Sequence, residues 1–390
     1  MTAAAVAAVP ARAPVGALWL KDRRWDLTFI SLSITLVASP YLLYLLILQL
    51  PRLVTPLAAA AGTTPDDLSR NAVNLLVALL VGGPHMYSTF TRTALDVDFA
   101  KRHRGFLLSS LLIPVIVVLL AVVNLSLLLT VFFFWASIHV LHQIIFITDL
   151  YNQRQIGRLT RFSRLSDYAL VLTCLYPMAA WRIASGTFVI GTTDISGFIG
   201  SFLPLGPWMV WLASFAFLAA LFVWIGKSVA EYRHGMLHGP KALFLGLTAA
   251  VSFFVPVLGN LDTAFQGMNV WHSLQYLALT WMINHLRWQR GELEHSSFVK
   301  RLSKDGSTRR YYGFNIGLTI ADGALAVVVF AFMYYIVGTP FDFAFDRAYY
   351  IAVLSFLWMH YFQDHYLFTQ PQVIAAPAPS MATATAPAPA

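Results

Sequence analysis

Apolar positions along most of this chain form unbroken runs, not a 3.6-residue stripe or a two-residue alternation. The runs are roughly 18–25 residues long, enough for an α-helix to cross ~30 Å of hydrocarbon. Ten can be delimited, at 27–50, 71–91, 106–123, 126–149, 166–182, 207–226, 242–259, 268–286, 313–336 and 347–368. Continuous runs exclude a β-barrel, whose strands alternate. The pattern predicts an all-α fold, a polytopic transmembrane helical bundle of about ten spans, with one domain over residues 21–370. Residues 1–20 open Ala/Pro-rich, without an apolar core behind an early basic region, and read as a flexible segment and not a signal peptide. Residues 371–390 are Ala/Pro/Thr-rich and are expected to be disordered.

Histidines interrupt these runs. Of eleven in the chain, seven fall inside predicted spans: His85, His139, His142, His272, His285, His360 and His365. An ionisable side chain in hydrocarbon costs several kcal/mol unless it meets a partner, a cavity or a metal. Seven over four predicted helices point to a site built within the bilayer.

Composition agrees with the pattern: 58% of residues are hydrophobic and 11% charged, against roughly a quarter charged in soluble domains. The net charge of +8 is topological and does not imply a nucleic-acid partner. With ten spans and both termini on one side, 22 of the 26 Lys and Arg residues fall on that side. Only Arg52, Arg70, Arg182 and Arg347 fall opposite. By the positive-inside rule both termini are cytoplasmic, and the expected location is the bacterial inner membrane. The single cysteine, Cys174, excludes an intramolecular disulfide and a thiolate metal site.

The second run carries Gly82-Gly83-Pro84-His85, a sequence that bends or opens a helix and frees carbonyls beside His85. The fourth carries His139, His142 and Gln143 at i, i+3 and i+4, on one face. The eighth places His272, Gln275 and Tyr276 together in the same way, and the tenth places Asp364 one turn after His360. A carboxylate at that spacing can share a metal or orient an imidazole. Asp364 is the only acidic residue this reading puts well inside a span. His234 and His238 form His-x-x-x-His in a cytoplasmic connection, where a loop folding under the bundle could close the site. His103 and His295 lie among loop charges and read as surface residues. The expected metal set is therefore His85, His139, His142, His272, His360 and Asp364, with His234 and His238 next.

Imidazoles with a carboxylate and no thiolate suit iron, copper or zinc and argue against calcium or magnesium. Iron is the expected cofactor, because attack on a lipid-soluble substrate without a carbonyl or phosphate requires oxygen activated at a redox metal. No nucleophile elbow, phosphate loop or dinucleotide fingerprint is present. Electrons, if needed, would come from a donor protein or from the substrate. Expected partners are the lipid bilayer, a hydrophobic small molecule such as a carotenoid or acyl lipid, and such a donor. Two other classes fit intramembrane histidines: a haem protein with His139 and His272 as axial ligands, and a transporter using them as a proton or ion relay.

The His-x-x-His-Gln, Trp-His-x-x-Gln-Tyr and His-x-x-x-Asp-His segments resemble membrane iron oxygenases in style, without the His-His boxes of the fatty-acid desaturases and alkane hydroxylases. Gly83-Pro84-His85 resembles the Gly-x-Pro-His segment of the Brp/Blh β-carotene dioxygenase family, with Met86-Tyr87 in place of Gly-Ala. That resemblance covers a few residues. It implies a multi-helix membrane fold, histidine-bound iron and an isoprenoid substrate, with His234 and His238 as that family's paired ligands.

Overall fold

Asn124 splits one apolar stretch into two helices, its side chain accepting the Leu127 N–H at 2.9 Å. Thr64 caps in the same way, accepting from the Asp67 N–H at 3.1 Å with Pro65 in the first turn behind it. Capped ends of this kind, together with the apolar runs, make the fold all-α, with 83% of the described residues helical. The computed structural model describes residues 18–60, 62–154, 159–190, 193–252 and 261–374.

The principal helical runs are α1 (Arg23–Leu48), α2 (Pro65–Thr91), α3 (Arg104–Val123), α4 (Leu125–Asn152), α5 (Arg161–Cys174) and α6 (Tyr176–Ala184). They continue with α7 (Pro207–Arg233), α8 (Gly239–Val251), α9 (Leu261–Gln289), α10 (Thr308–Ile336) and α11 (Phe341–Leu367). A two-residue antiparallel hairpin pairs Val189 with Asp194 and Ile190 with Thr193.

Six of these runs are long and apolar enough to cross a membrane: α1, α2, α3, α4, α7 and α10. Their outer faces expose large apolar side chains such as Leu119 and Val123 on α3, Trp211 and Phe215 on α7, and Val327 on α10. Water would not tolerate that much contiguous apolar surface, but lipid does. The chain is a membrane protein.

The remaining four expected spans take other forms. The 166–182 run is divided between α5 and α6, the helix being interrupted at Leu175 ahead of Pro177. The 242–259 run begins in α8 and passes into residues outside the described set. The last two lie in α9 and α11, which at 29 and 27 residues are long enough but carry too many polar residues to pass as lipid-facing. On α9, His272, Ser273, Gln275, Thr280 and Asn284 are all buried. On α11, Ser355, His360, Gln363 and Asp364 are buried. These polar helices are covered by apolar ones: α9 packs on α1 and α2, and α11 on α3, α4 and α10.

A buried ion network ties the peripheral helices together. Asp167 on α5 pairs with Lys227 of α7 at 2.6 Å and Lys241 of α8 at 2.9 Å. Trp224 adds an N–H donated to the same carboxylate at 3.0 Å. Removing one partner of such a set would leave an uncompensated buried charge.

Order extends past the end of α11. Pro371–Ile374 forms a 3-10 turn with Ile374 buried, and Arg290 donates to the Val373 and Ile374 carbonyls at 2.9 and 3.1 Å. The rest of the expected tail, like residues 1–17, lies outside the described residues. Truncation after Ile374 is expected to leave the thermal midpoint of the detergent-purified protein unchanged. Truncation after Gln370 is expected to lower it, because about 2 kcal/mol of charged hydrogen bonding and apolar burial is lost.

Candidate metal centre

The backbone of α2 departs from α-helical geometry just before its histidine. Ala78–Gly82 forms a π-helical turn in which the Gly83 N–H reaches back to the Ala78 carbonyl. Pro84 has no N–H for the Leu80 carbonyl, and the Tyr312 hydroxyl of α10 bonds to that oxygen instead. The Gly82 carbonyl turns to Nδ1 of His85. The expectation that Gly-Gly-Pro frees carbonyls beside His85 is met by a π-turn, a form common at functional sites.

His85 of α2 meets His139 of α4, His272 of α9 and His360 of α11. All four are buried, and one ligating atom from each lies within 4.8 Å of the others. Ring centroids are 4.7 Å apart for His85–His360 and His139–His360, and 5.0–5.1 Å for His272 against His139 and His85. Among the described residues, each ring has one buried nitrogen without a hydrogen-bond partner: Nε2 of His85, His139 and His360, and Nδ1 of His272. Such orphans would cost about 1–3 kcal/mol each, and a cation accepting their lone pairs offsets that cost. The donor set fits a transition metal.

Hydrogen bonds on the far side of two rings set the tautomers this requires. Ser273 Oγ lies 2.9 Å from His85 Nδ1 and donates its proton to Asn269 Oδ1 at 2.8 Å. Ser273 can therefore only accept from His85, as the Gly82 carbonyl does, so Nδ1 carries the hydrogen and Nε2 is bare. Thr89 Oγ1 lies 2.6 Å from His360 Nδ1 and 3.0 Å from Asp364 Oδ1. Tyr276 donates to the same carboxylate oxygen at 2.5 Å. A relay in which His360 Nδ1–H donates to Thr89 and Thr89 donates to Asp364 again leaves Nε2 free. His139 is held by stacking on Tyr361, centroids 4.2 Å apart. The His272 turn of α9 is tied down by Gln143, which donates to the His272 carbonyl at 3.1 Å.

Other expected ligands lie apart from this group. His142 is half-buried and faces His365, centroids 4.9 Å apart. Asp364 stands behind His360, its Oδ2 3.5 Å from His360 Nδ1, in the orienting position of the two foreseen. His234 is exposed at the end of α7. His238 is buried and caps α8, its Nδ1 accepting the Lys241 N–H at 3.2 Å. Burial, then the Lys241 charge, pushes its imidazole down to about 4, so it serves that cap in its neutral form. His285 bonds the Ser303 carbonyl at 2.9 Å. His295 is exposed beside Asp98, and His103 contacts Tyr366.

Sequence reasoning overlooked Thr89 and Ser273, whose roles depend on which helix they face. It also overlooked Asp322, a second acidic residue within an apolar span, buried on α10. An apolar cavity of about 430 Å³ adjoins the centre, lined by His85 and His272 with Met86, Phe133, Ala136 and Val140 among others, and Asp322 is also on its wall. No protein-family model matches the chain, and neither a curated protein nor a solved structure matches it.

Alanine at His85, His139, His272 or His360 is expected to cut bound metal, measured by mass spectrometry on purified protein, to a small fraction of wild type. Alanine at His142, His103 or His295 is expected to leave it unchanged, and Thr89→Val to weaken metal affinity about 10–100-fold. Retention by the four variants equal to that of the controls would show that the cluster holds no ion.

Proposed function

We propose that the chain is an integral membrane, iron-dependent oxidoreductase acting on a lipid-soluble substrate. The observation that carries this reading is the juxtaposition of four buried imidazoles, each with a bare nitrogen, and a largely apolar cavity whose wall includes two of the same rings. A second apolar cavity of about 350 Å³ shares Phe133, Ser137 and Leu175 with the first, which supports an elongated substrate. The resemblance of Gly83-Pro84-His85 to the Brp/Blh family supports iron and an isoprenoid, and an acyl lipid satisfies the same walls.

The chain's own residues have three tasks in this reading. His85, His139, His272 and His360 hold the ion, which when bound supplies the oxygen activation that a hydrocarbon requires. The cavity walls orient the substrate and exclude water. Thr89, Asp364 and Tyr276 keep His360 in its ligating tautomer and give a protonic path away from it. Four imidazoles converging on one point also argue against haem, whose macrocycle brings its own four nitrogens and needs a flat slot between two axial ligands. Any electron donor would approach from the basic, cytoplasmic side.

Purified protein is expected to contain iron without a porphyrin absorption band. It is expected to consume oxygen with an isoprenoid or acyl substrate, and to lose turnover when the iron is replaced by zinc. Protein free of any transition metal would overturn this reading in favour of histidine-mediated transport, read as substrate or proton flux in proteoliposomes.

We also propose ten crossings with cytoplasmic termini in a bacterial inner membrane. The distribution of Lys and Arg supports this, as does the length of α9 and α11. Reporter fusions in 183–206 and 337–346 are expected to read as external and those in 287–312 as internal. An external signal from 287–312 would reject the topology.

A further inference from the structure

The cavity beside the histidines is apolar but not uniformly so. Its polar wall residues besides the histidines include Ser137, Gln266, Asn269, Thr319 and Asp322. Most have partners already. Ser137 donates to the Phe134 carbonyl at 2.7 Å and Thr319 to the Asn315 carbonyl at 2.9 Å. Asn269 accepts from Ser273 at 2.8 Å and donates to Gln266 at 3.1 Å. Asp322 differs: it is 7% exposed, and its Oδ1 is buried with no hydrogen bond among the described residues. The neighbouring polar group is the phenol of Tyr87, whose buried hydroxyl lies within interaction range of the Asp322 carboxyl.

A carboxyl in the middle of an apolar span is costly without a partner. Asp322 lies within α10, between Ala321 and Gly323 in a run otherwise rich in Ala, Leu, Val and Phe. Here a carboxyl on the wall of an apolar chamber has a hydroxyl beside it and an oxygen free to accept a further hydrogen bond. A ligand hydroxyl complements both, donating to Asp322 and accepting from Tyr87. An ammonium group would offer donors only, and a pure hydrocarbon would satisfy neither.

We infer that Asp322 and Tyr87 form an anchor for the hydroxyl of an otherwise apolar substrate, so that the substrate class is a long-chain or isoprenoid alcohol. This rests on the reading of the cavity as the substrate chamber. It assigns a specificity-determining role to residues that are not metal ligands. Hydrophobic walls alone discriminate weakly between a hydroxylated chain and its hydrocarbon. A site holding buried polar groups discriminates strongly, because the wrong ligand leaves them unpaired.

The test compares parinaryl alcohol, a linear tetraene alcohol that fluoresces on burial, with its methyl ether, which keeps the chain and the oxygen acceptor but lacks the donor. Titrations are made anaerobically on full-length protein in lipid nanodiscs, against empty nanodiscs, with bound metal measured on the same samples. Wild type is expected to bind the alcohol about tenfold or more tightly than the ether. Asp322→Leu is expected to abolish that preference without weakening the ether. Asp322→Asn, which retains a carbonyl acceptor, is expected to keep part of it, and Tyr87→Phe to narrow it. Metal content is expected to stay at the wild-type level in all three variants. A wild type without preference, an Asp322→Leu protein that keeps it, or failure of both probes to bind would overturn the anchor. A wild type that shows the preference, loses it in Asp322→Leu and holds no metal would leave the anchor standing and remove the oxidoreductase reading instead.

Discussion

The structure depends on the placement of unpaired imidazole nitrogens in a medium that cannot solvate them. Each of the four central rings gives up its contact with water, and one nitrogen on each finds no donor or acceptor among the described residues. Polar groups on that scale cannot face lipid, so the helix faces bearing them must turn inward, and the most polar helices must be enclosed. The arrangement of α9 and α11 inside a screen of α1, α2, α3, α4 and α10 follows from this. The apolar outer helices take up the lipid contact, and the inner ones carry His272 and His360 at the cost of their own hydrophobicity.

This division of labour explains what was readable in the sequence. Long apolar runs translate directly into helices because hydropathy alone sets their environment, and α3 and α7 match their expected positions closely. The inner helices also lie where the runs placed them, but their polar content keeps them below the apolarity that α3 or α10 shows. Run 166–182 looked like a single span because average hydropathy does not register the interruption at Leu175 before Pro177.

The site was legible as a set of helices more than as a set of atoms. Spacing put His139, His142 and Gln143 on one side of α4, but a helix turns about 100° per residue. Residue i+3 therefore falls about 60° to one side of His139 and residue i+4 about 40° to the other. That difference sends His142 toward His365 and Gln143 toward the His272 carbonyl. Thr89 and Ser273 are ordinary hydroxyl residues until the fold sets them against His360 and His85, across separations of 271 and 188 residues. Asp322 was hidden by averaging: a single carboxyl barely alters the hydropathy of the run 313–336. His238 illustrates the opposite case, a residue with good ligand spacing whose ring nitrogen is spent on a helix cap.

The π-turn at Ala78–Gly82 has a consequence for how α2 is phased. A π-turn accommodates one residue beyond the α-helical count, and everything after it is rotated by about 100° relative to an uninterrupted helix. His85, Thr89 and Tyr87 all lie after this offset, whereas the lipid-exposed Leu75, Leu76 and Leu80 lie before or within it. The helix thus presents one azimuth to the hydrocarbon in its first half and another to the imidazole cluster in its second. Shortening the turn by one residue would preserve every side chain that matters and still swing all three away from their partners together. Residue count in that turn is as much a determinant of the centre as the identity of His85.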